Sequence, residues 1–376
     1  MLPRRPAARA DIDARNGAAV LSLTLPGDAV LYLLLPLHAE AFGVSLAEAG
    51  FLLAANRLVR IAGYGWIARG YNRFGPRAAC LVATLAAAAS TLGYATLSGV
   101  WALAVARLLW GLSFAAFNIA VQALATAEPA GAARRNGRSR AIVSVGPMLS
   151  LPLGALLSEW VGPRPVFAVL AGAALLAVPL AVRLPDSSGP VARGGPRFAL
   201  PSRLDVWSFV QGLTLDGLFV VGLAVLAAKA LPGEAALAAG AAMALRYLSD
   251  IVFAPVGGRA AERWGTERLL LLLSLASAAG LVLIGAGWLW TGAVAVVLLR
   301  GLLAPLPAPI AVARSRPGEG VPALARLATW RDIGAGLGPL AAGLLLPVLP
   351  PSTLYAAAAV LLAVSALADA PGRRRE

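Results

Sequence analysis

The 376 residues of this chain are 59% apolar and only 13% charged, with a mean hydropathy of +0.77. A soluble domain carries about 25% charged residues, so the composition excludes a protein that covers itself with a water-facing surface. The formal net charge of +14 would suit a nucleic-acid-binding protein. Most of the 32 basic residues, however, lie in short segments between apolar stretches, which argues against a nucleic-acid partner.

Twelve apolar stretches follow one another along the chain, and each is long enough to cross about 30 Å of hydrocarbon as a helix. They cover residues 17–39, 46–68, 77–98, 100–124, 140–158, 164–183, 205–228, 235–257, 268–288, 291–313, 328–348 and 352–369. This pattern predicts an all-α integral membrane protein with twelve transmembrane helices. The basic residues between the stretches fall on one side, with Arg164 and Lys229 as exceptions, so both termini are expected in the cytoplasm.

A short basic segment after the second stretch occurs again after the eighth. The segment from Asn72 to Arg77 has its counterpart 190 positions later, starting at Glu262. Repetition at a fixed offset in a membrane chain is typical of transporters whose two similar halves rock against each other. We expect a cytoplasmic gate loop in each half, comprising Asn72, Arg73, Gly75 and Arg77 in the first and Glu262, Arg263, Gly265 and Arg268 in the second. The alternative is a basic turn that only orients the chain in the membrane.

The longest polar interval lies in the middle of the chain, from Pro185 to Arg203, and is rich in Gly, Pro and Ser. Such a segment is typical of a flexible linker. We therefore expect an N-terminal six-helix half at 1–184, a cytoplasmic linker at 185–204 and a C-terminal six-helix half at 205–376. The two halves would form two pseudo-symmetric six-helix bundles.

Two predicted helices contain a Gly-Pro pair, Gly146-Pro147 in the fifth and Gly338-Pro339 in the eleventh. Glycine allows a neighbouring helix to approach closely, and proline removes a backbone hydrogen bond. Both helices are therefore expected to bend at these pairs.

Eight ionisable residues lie well inside the predicted helices. They are Asp28, Arg57, Arg60, Arg107, Asp216, Arg246, Asp250 and Arg300. Each costs roughly 2.5–3.5 kcal/mol at the bilayer centre, so they must face a polar cavity or one another. Arg246 and Asp250 are four positions apart in one helix and can pair.

These eight residues form the predicted substrate and proton-coupling site. Their excess of arginine would attract an anionic or zwitterionic substrate, and Asp28 or Asp216 would take up the coupling proton. A desolvated carboxylate that loses its arginine partner binds a proton more readily. The alternative is a set of static salt bridges that fix the helix packing.

The whole layout resembles the major facilitator superfamily. The basic segment is similar to that family's signature G-x-x-x-D-R-x-G-x-R at Arg73, Gly75 and Arg77, with Asn72 in place of the acid. The second copy keeps an acid at Glu262, and Arg107-Leu-Leu-Trp-Gly111 is similar to the family's R-x-x-x-G element. The resemblance implies that the basic segment latches the cytoplasmic side, more weakly where Asn72 replaces the acid. It also implies that helices 1, 4, 7 and 10 line a central cavity, with Asn118, Gln122 and Gln211 as hydrogen-bond partners.

The expected function is secondary active transport of a small organic solute that is anionic, zwitterionic or amphipathic, by alternating access. Proton coupling and export are expected, in a multi-pass protein of the bacterial inner membrane that works as a monomer in the lipid bilayer. No cofactor beyond the proton gradient and no enzyme activity are expected, since the sequence has no ATP-binding loop and few metal ligands. The alternatives are an uncoupled facilitator, a lipid flippase and a non-transporting sensor or scaffold.

Overall fold

The computed structural model describes residues 7–186, 200–230 and 235–370. Helices are the regular elements throughout these ranges, which confirms the predicted all-α fold. Nine of the described helices or continuous helix pairs are long and apolar enough to cross a membrane. Residues 187–199 of the predicted linker lie outside the described residues.

The helices are numbered here by the membrane crossing to which they belong. The first six are α1 (Ala7–Thr24 and Pro26–Leu37), α2 and α3 (the two arms of the continuous helix Leu46–Thr96, divided at Gly75), α4 (Val100–Ala125), α5 (Ala132–Val161) and α6 (Pro163–Leu175 and Val178–Val182). The second six are α7 (Arg203–Gln211, the π-helical Gly212–Leu218 and Phe219–Ala230), α8 (Ala235–Trp264), α9 (Thr266–Gly285), α10 (Leu289–Leu303 and Pro307–Ala313), α11 (Gly320–Leu345) and α12 (Pro351–Ala368). Each predicted stretch corresponds to one of these twelve.

Two of these helices begin with the same local signal. Ser45 precedes α2 and accepts a hydrogen bond from the Glu48 backbone N–H, while the Glu48 carboxylate accepts from the Ser45 backbone N–H at 2.8 Å. Ser202 and Asp205 repeat this reciprocal arrangement at the start of α7, also at 2.8 Å. Each capping box satisfies backbone donors that the first turn of a helix leaves without partners.

The residues of the predicted gate loops are almost entirely helical, which corrects the expected loop conformation and leaves the gating role a prediction. Asn72 and Arg73 belong to the last turn of α2, and only Gly75, with φ of 83°, departs from helical geometry before α3 continues. Gly265, with φ of 84°, separates α8 from α9 in the same way. Because a residue with a Cβ is strained in this region, one glycine suffices to turn the chain.

The fifth and eleventh helices begin earlier than predicted. α5 starts at Ala132 rather than at position 140, and α11 starts at Gly320 rather than at 328. Arginine is a good helix former, so both helices extend beyond their apolar windows. Arg140 and Arg331, each near the start of its predicted apolar stretch, therefore lie well within α5 and α11.

The Gly-Pro pairs sit where helices approach closely. α5 runs without a break through Pro147, and α11 runs without a break through Pro339, so a bend at either pair stays a prediction. The Gly146 backbone N–H donates to Ser22 Oγ of α1 at 3.1 Å. Gly338 lies directly against Gly217 in the π-helical part of α7, with no room for a side chain between them.

The first six helices meet the second six along α5 with α8 and along α2 with α11. Near Gly75 and Gly265, which mark what we call the Gly75 end, Gly137 packs against the Ala254 backbone and Gly258 packs against the Ala133 backbone. Asn136 Nδ2 also donates to the Pro305 carbonyl at 2.8 Å. These contacts close the Gly75 end of the bundle.

Candidate functional site

One buried ion pair joins α1 to α4. Asp28 lies in the first turn of Pro26–Leu37, and its Oδ1 accepts from Arg107 Nη1. Arg107 is fully buried, and its Nε donates to the Leu52 carbonyl at 3.1 Å. Asn56 Nδ2 adds a further hydrogen bond to Asp28 Oδ1 at 3.3 Å. The carboxylate is thus held by one guanidinium and one amide.

A larger cluster surrounds Asp216 in the π-helical segment of α7. Arg300 Nε lies 2.7 Å from Asp216 Oδ1, and Arg331 Nη2 lies 2.8 Å from Asp216 Oδ2. Gln211 Nε2 donates to the same Oδ2 at 3.2 Å, and Arg300 Nη1 reaches Asp250 Oδ1 at 3.4 Å. The π-helical turn, a local distortion that recurs at functional sites, thus carries a carboxylate shared by two guanidinium groups.

The two ion pairs occupy equivalent helices of the repeat. In the first half an aspartate on α1 meets an arginine on α4, and in the second half an aspartate on α7 meets an arginine on α10. Both carboxylates therefore belong to helices that the family resemblance assigns to the cavity lining.

A third group of charges links the halves across α2 and α11. Arg60 Nε lies 2.9 Å from Asp332 Oδ2, and Tyr64 Oη donates to the same oxygen at 3.1 Å. The Arg60 guanidinium carbon lies 4.6 Å from the centre of the Phe114 ring, and Arg57 Nη1 donates to the Ala335 carbonyl. This group, Arg60, Tyr64 and Asp332, is called the inter-half lock below.

A cleft lies between the halves, with about 50 Å³ of room for water-sized molecules and about 610 Å³ of atom-free space when its open mouth is counted. Its polar and charged lining comprises Asn118, Gln122, Arg140, Ser208, Gln211, Asp250, Arg300 and Arg331, and its apolar lining comprises Trp207, Leu303, Ala304, Pro307, Ala308, Leu327 and Ala328. The lining comes from α4, α5, α7, α8, α10 and α11. A small amphipathic molecule would find both polar and apolar contacts there.

The structure brings part of the predicted site together at this cleft. Asp250 and Arg300 line it, together with the predicted partners Asn118, Gln122 and Gln211. Asp216 contacts two of the lining arginines. Asp28 and Arg107 form their own buried pair, and Arg57 and Arg60 contact α11.

The pairing of Arg246 with Asp250 that their spacing permits is replaced by another contact. Asp250 pairs instead with Arg300 from α10, and within residues 235–370 no ion pair joins Arg246 to Asp250 at 4.0 Å or less. The i, i+4 spacing permits the pair, but a guanidinium on the facing helix competes for the carboxylate.

Three charged residues of the site were missed by sequence reasoning. Asp332 and Arg331 both fall inside the predicted eleventh helix, so that window alone could have identified them. Arg140 is the first residue of the predicted fifth stretch and closely follows Arg134, Arg135 and Arg138, so the sequence alone does not place it in a cleft.

The repeated basic segments make different contacts in the two halves. Arg77 donates from Nε to the Leu184 carbonyl at 2.8 Å and pairs with Asp186 at 2.6 Å, while Arg73 lies over the neighbouring Phe74 ring. In the second copy, Glu262 Oε1 lies 3.5 Å from Arg134 Nε of α5. Glu262 of the second half thus contacts the first half, whereas Arg77 contacts the end of α6 within its own half. Arg263 precedes Trp264 at the end of α8, and Arg268 lies in the first turn of α9.

Comparison with known proteins gives a consistent family. Residues 18–229 match the Major Facilitator Superfamily. Two uncharacterized MFS-type transporters from two strains of Mycobacterium tuberculosis are each 28% identical over 247 residues. That match covers 60% of this chain and spans 59% of each mycobacterial relative.

Solved structures show the same fold at lower identity. The human organic anion transporter MFSD10 (TETRAN) superposes with a TM-score of 0.77 at 16% identity, covering 96% of this chain and 99% of that one. The Escherichia coli fucose:proton symporter FucP has a TM-score of 0.71 at 14% identity, covering 95% and 98%. FucP in the outward conformation also gives 0.71, at 15% identity and with the same coverage.

Proposed function

This chain belongs to the major facilitator superfamily and is a multi-pass membrane transporter; from that premise we propose that it carries out proton-coupled secondary active transport of a small organic solute by alternating access. We place it in the bacterial inner membrane as a monomer, with the Gly75 end and both termini in the cytoplasm. We assign the direction as export.

The observation that carries this proposal is the pair of equivalent carboxylate–arginine contacts, Asp28 with Arg107 and Asp216 with Arg300. Buried ion pairs are weak stabilisers, because the desolvation cost offsets most of the attraction. Charges retained inside a membrane protein more often serve a transport pathway or a proton relay. Their equivalent positions in both halves fit a mechanism in which the halves rearrange about a shared centre.

Asp28 is the proposed proton carrier. It has a single guanidinium partner, so movement of α4 away from α1 would leave the carboxylate without its countercharge. A buried carboxylate in that state binds a proton more readily. Proton uptake and release would then accompany the change between conformations.

The solute is proposed to be anionic, zwitterionic or amphipathic. Of the eight ionisable residues predicted inside the membrane helices, five are arginines and three are aspartates, which favours a ligand that carries negative charge. The cleft also has an extended apolar wall, which favours a ligand with an apolar part.

Untargeted metabolite profiling of cells and medium tests the function directly. Cells with the intact protein are compared with cells carrying Asp28→Asn, with an empty vector and with Glu40→Gln, which removes an exposed carboxylate from the connection after α1. A compound that accumulates outside only with the intact protein and Glu40→Gln establishes export. Asp28→Asn should lose proton-driven transport and retain counterflow.

The other outcomes separate the alternatives. A compound drained from the medium would reverse the direction to uptake, and transport unaffected by Asp28→Asn or by dissipating the proton gradient would indicate an uncoupled facilitator. A change confined to lipids would indicate a flippase. Unchanged pools in several growth media would leave a sensor or scaffold as the better account.

A further inference from the structure

The charged residues in the middle of the membrane helices are unequal in number, and the excess has a specific location. Seven arginines occupy the membrane helices at the level of the ion pairs and the cleft, against four aspartates. The arginines are Arg57, Arg60, Arg107, Arg140, Arg246, Arg300 and Arg331, and the aspartates are Asp28, Asp216, Asp250 and Asp332. Each aspartate contacts at least one arginine, so the surplus is positive.

Arg140 is the surplus arginine that lines the cleft. It projects from α5 in the first half, and its electrostatic neighbours are the like charges Arg331 and Arg300 and the opposite charges Asp250 and Asp216. Both aspartates are already engaged by Arg300 and Arg331. Across residues 7–186, 200–230 and 235–370, Arg140 makes no ion pair within 4.0 Å. One positive charge therefore faces the cleft without a countercharge.

The walls beside Arg140 differ in chemistry. The amides of Asn118 and Gln122 lie on α4, and Gln122 Nε2 donates to Asn118 Oδ1 at 2.8 Å. In the same cleft, α10 and α11 contribute the apolar side chains Leu303, Ala304, Pro307, Ala308, Leu327 and Ala328. A ligand held by Arg140 would thus have polar groups beside its charged end and an apolar wall for the rest.

We propose that Arg140 binds the anionic group of an amphipathic organic monoanion, whose apolar body packs against α10 and α11. This inference rests on the proposed transport function and names its substrate class. A guanidinium binds a carboxylate or sulfonate through parallel hydrogen bonds, which gives both affinity and orientation. A single unpaired charge matches a monoanion better than a dianion, because a dianion would leave one negative charge uncompensated.

The same geometry links binding to the movement of the halves. Arg140 belongs to the first half, whereas Arg300 and Arg331 belong to the second, and these like charges repel each other across the cleft. An anion between them converts repulsion into attraction on both sides. The bound substrate thus favours the conformation in which α5 approaches α10 and α11.

Equilibrium binding to the full chain in lipid nanodiscs tests the site. The probes are radiolabelled naphthoate and its neutral isostere naphthamide, with naphthalenesulfonate as a second monoanion. The intact protein should bind both anions saturably and naphthamide at least about tenfold more weakly. Arg140→Gln should weaken naphthoate binding at least about tenfold, which corresponds to about 1.4 kcal/mol. Naphthamide binding should not change.

The matched control is Arg138→Gln, which removes the same charge from the same helix at a side chain that is 51% exposed. It should leave naphthoate binding unchanged. Arg140→Lys keeps the charge and should bind naphthoate more tightly than Arg140→Gln. If Arg140→Gln does not fold, two other measurements test the proposal. The intact protein should bind naphthoate more tightly than naphthamide, and this preference should be smaller in Arg140→Lys.

Three results would overturn the proposal: no saturable binding of either anion, equal affinity for naphthoate and naphthamide, or equal naphthoate affinity in Arg140→Gln and the intact protein. Transport detected by metabolite profiling without anion binding rejects this site and leaves the transport function standing. The absence of any transport rejects the function itself.

Discussion

Asp28 and Asp216 lie on equivalent helices of the two halves, but they have different numbers of positively charged partners. Asp28 is held by one guanidinium and the Asn56 amide, whereas Asp216 contacts the guanidinium groups of Arg300 and Arg331 and the Gln211 amide. Two positive partners stabilise the ionised carboxylate more strongly than one. In the proposed mechanism we therefore expect Asp28 to be the proton carrier and Asp216 to stay a fixed anion beside the cleft.

The first prediction at this scale concerns the pair of Asp28 with Arg107. Arg107→Met should destabilise the protein by about 3–5 kcal/mol, because it leaves a buried carboxylate without its countercharge. The double variant Arg107→Met with Asp28→Asn should be more stable than Arg107→Met alone, since no charge is then left unpaired. Denaturant unfolding of the purified protein measures both. A double variant whose loss equals the sum of the single losses would show that the two side chains do not interact.

At the scale of single elements, the turns of this fold depend on individual glycines. Gly75 and Gly265 each adopt positive φ and reverse the chain between two long helices with no further loop residues. The repeated sequence pattern therefore encodes a backbone conformation as well as a charge pattern. The basic side chains around each glycine lie on helix ends, where they can contact neighbouring helices.

Gly265→Ala separates backbone strain from lost space. Apart from its own chain neighbours, no atom lies within 4 Å of the position that a Cβ would take at Gly265, so the expected penalty comes from its φ of 84°. The substitution should cost about 1–2 kcal/mol. Gly70→Ala is the matched control, because it also adds a methyl group in open space but lies inside α2.

In that helical setting, alanine should stabilise the protein by about 0.5–1 kcal/mol. Thermal unfolding in detergent should show opposite shifts in Tm for the two variants. Equal shifts would mean that backbone conformation at Gly265 does not limit stability.

At the scale of the whole molecule, two kinds of contact join the halves. Direct helix packing joins them at the Gly75 end, and ion pairs join them in the middle of the bundle. Glycines bring α5 and α8 together, while the inter-half lock of Arg60, Tyr64 and Asp332 joins α2 to α11. Alternating access requires these contacts to break when the Gly75 end opens. The inter-half lock is easier to remove by substitution than the α5–α8 contacts, because it is made by side chains and involves no backbone packing.

Asp332→Asn should therefore shift the protein toward the state that is open at the Gly75 end. The loss of a charged hydrogen bond, worth about 1.5 kcal/mol, should raise the open population about tenfold. Ala308, which is 2% exposed and lines the cleft, reports this when changed to cysteine in a Cys80→Ser background. The labelling rate by a membrane-impermeant maleimide applied to inside-out vesicles gives the measurement.

Glu159→Gln, which neutralises an exposed carboxylate at the far end of α5, is the control and should leave the labelling rate unchanged. If the labelling rate in Asp332→Asn equals the rate in the protein that keeps Asp332, the ion pair does not hold the halves together.

The sequence by itself determined the twelve helices, because a chain in hydrocarbon must satisfy its backbone hydrogen bonds within each apolar stretch. It also determined the family, since Arg73, Gly75, Arg77, Arg107 and the second copy of the basic segment carry the family's pattern. That the eight intramembrane charges need polar surroundings followed from the cost of burying them.

Only the tertiary structure decided which charges meet. Asp250 could have paired with Arg246 on its own helix, but the packing of α10 against α8 supplies Arg300 instead. Arg140 and Arg331 stand near the starts of their predicted helices, and only the packing of α5 and α11 against the other helices shows that both line the cleft. The length, depth and rotation of a helix depend on the neighbouring helices, whereas hydropathy measures only the local preference for lipid over water. The identity of the cleft residues could therefore not be predicted from the sequence alone.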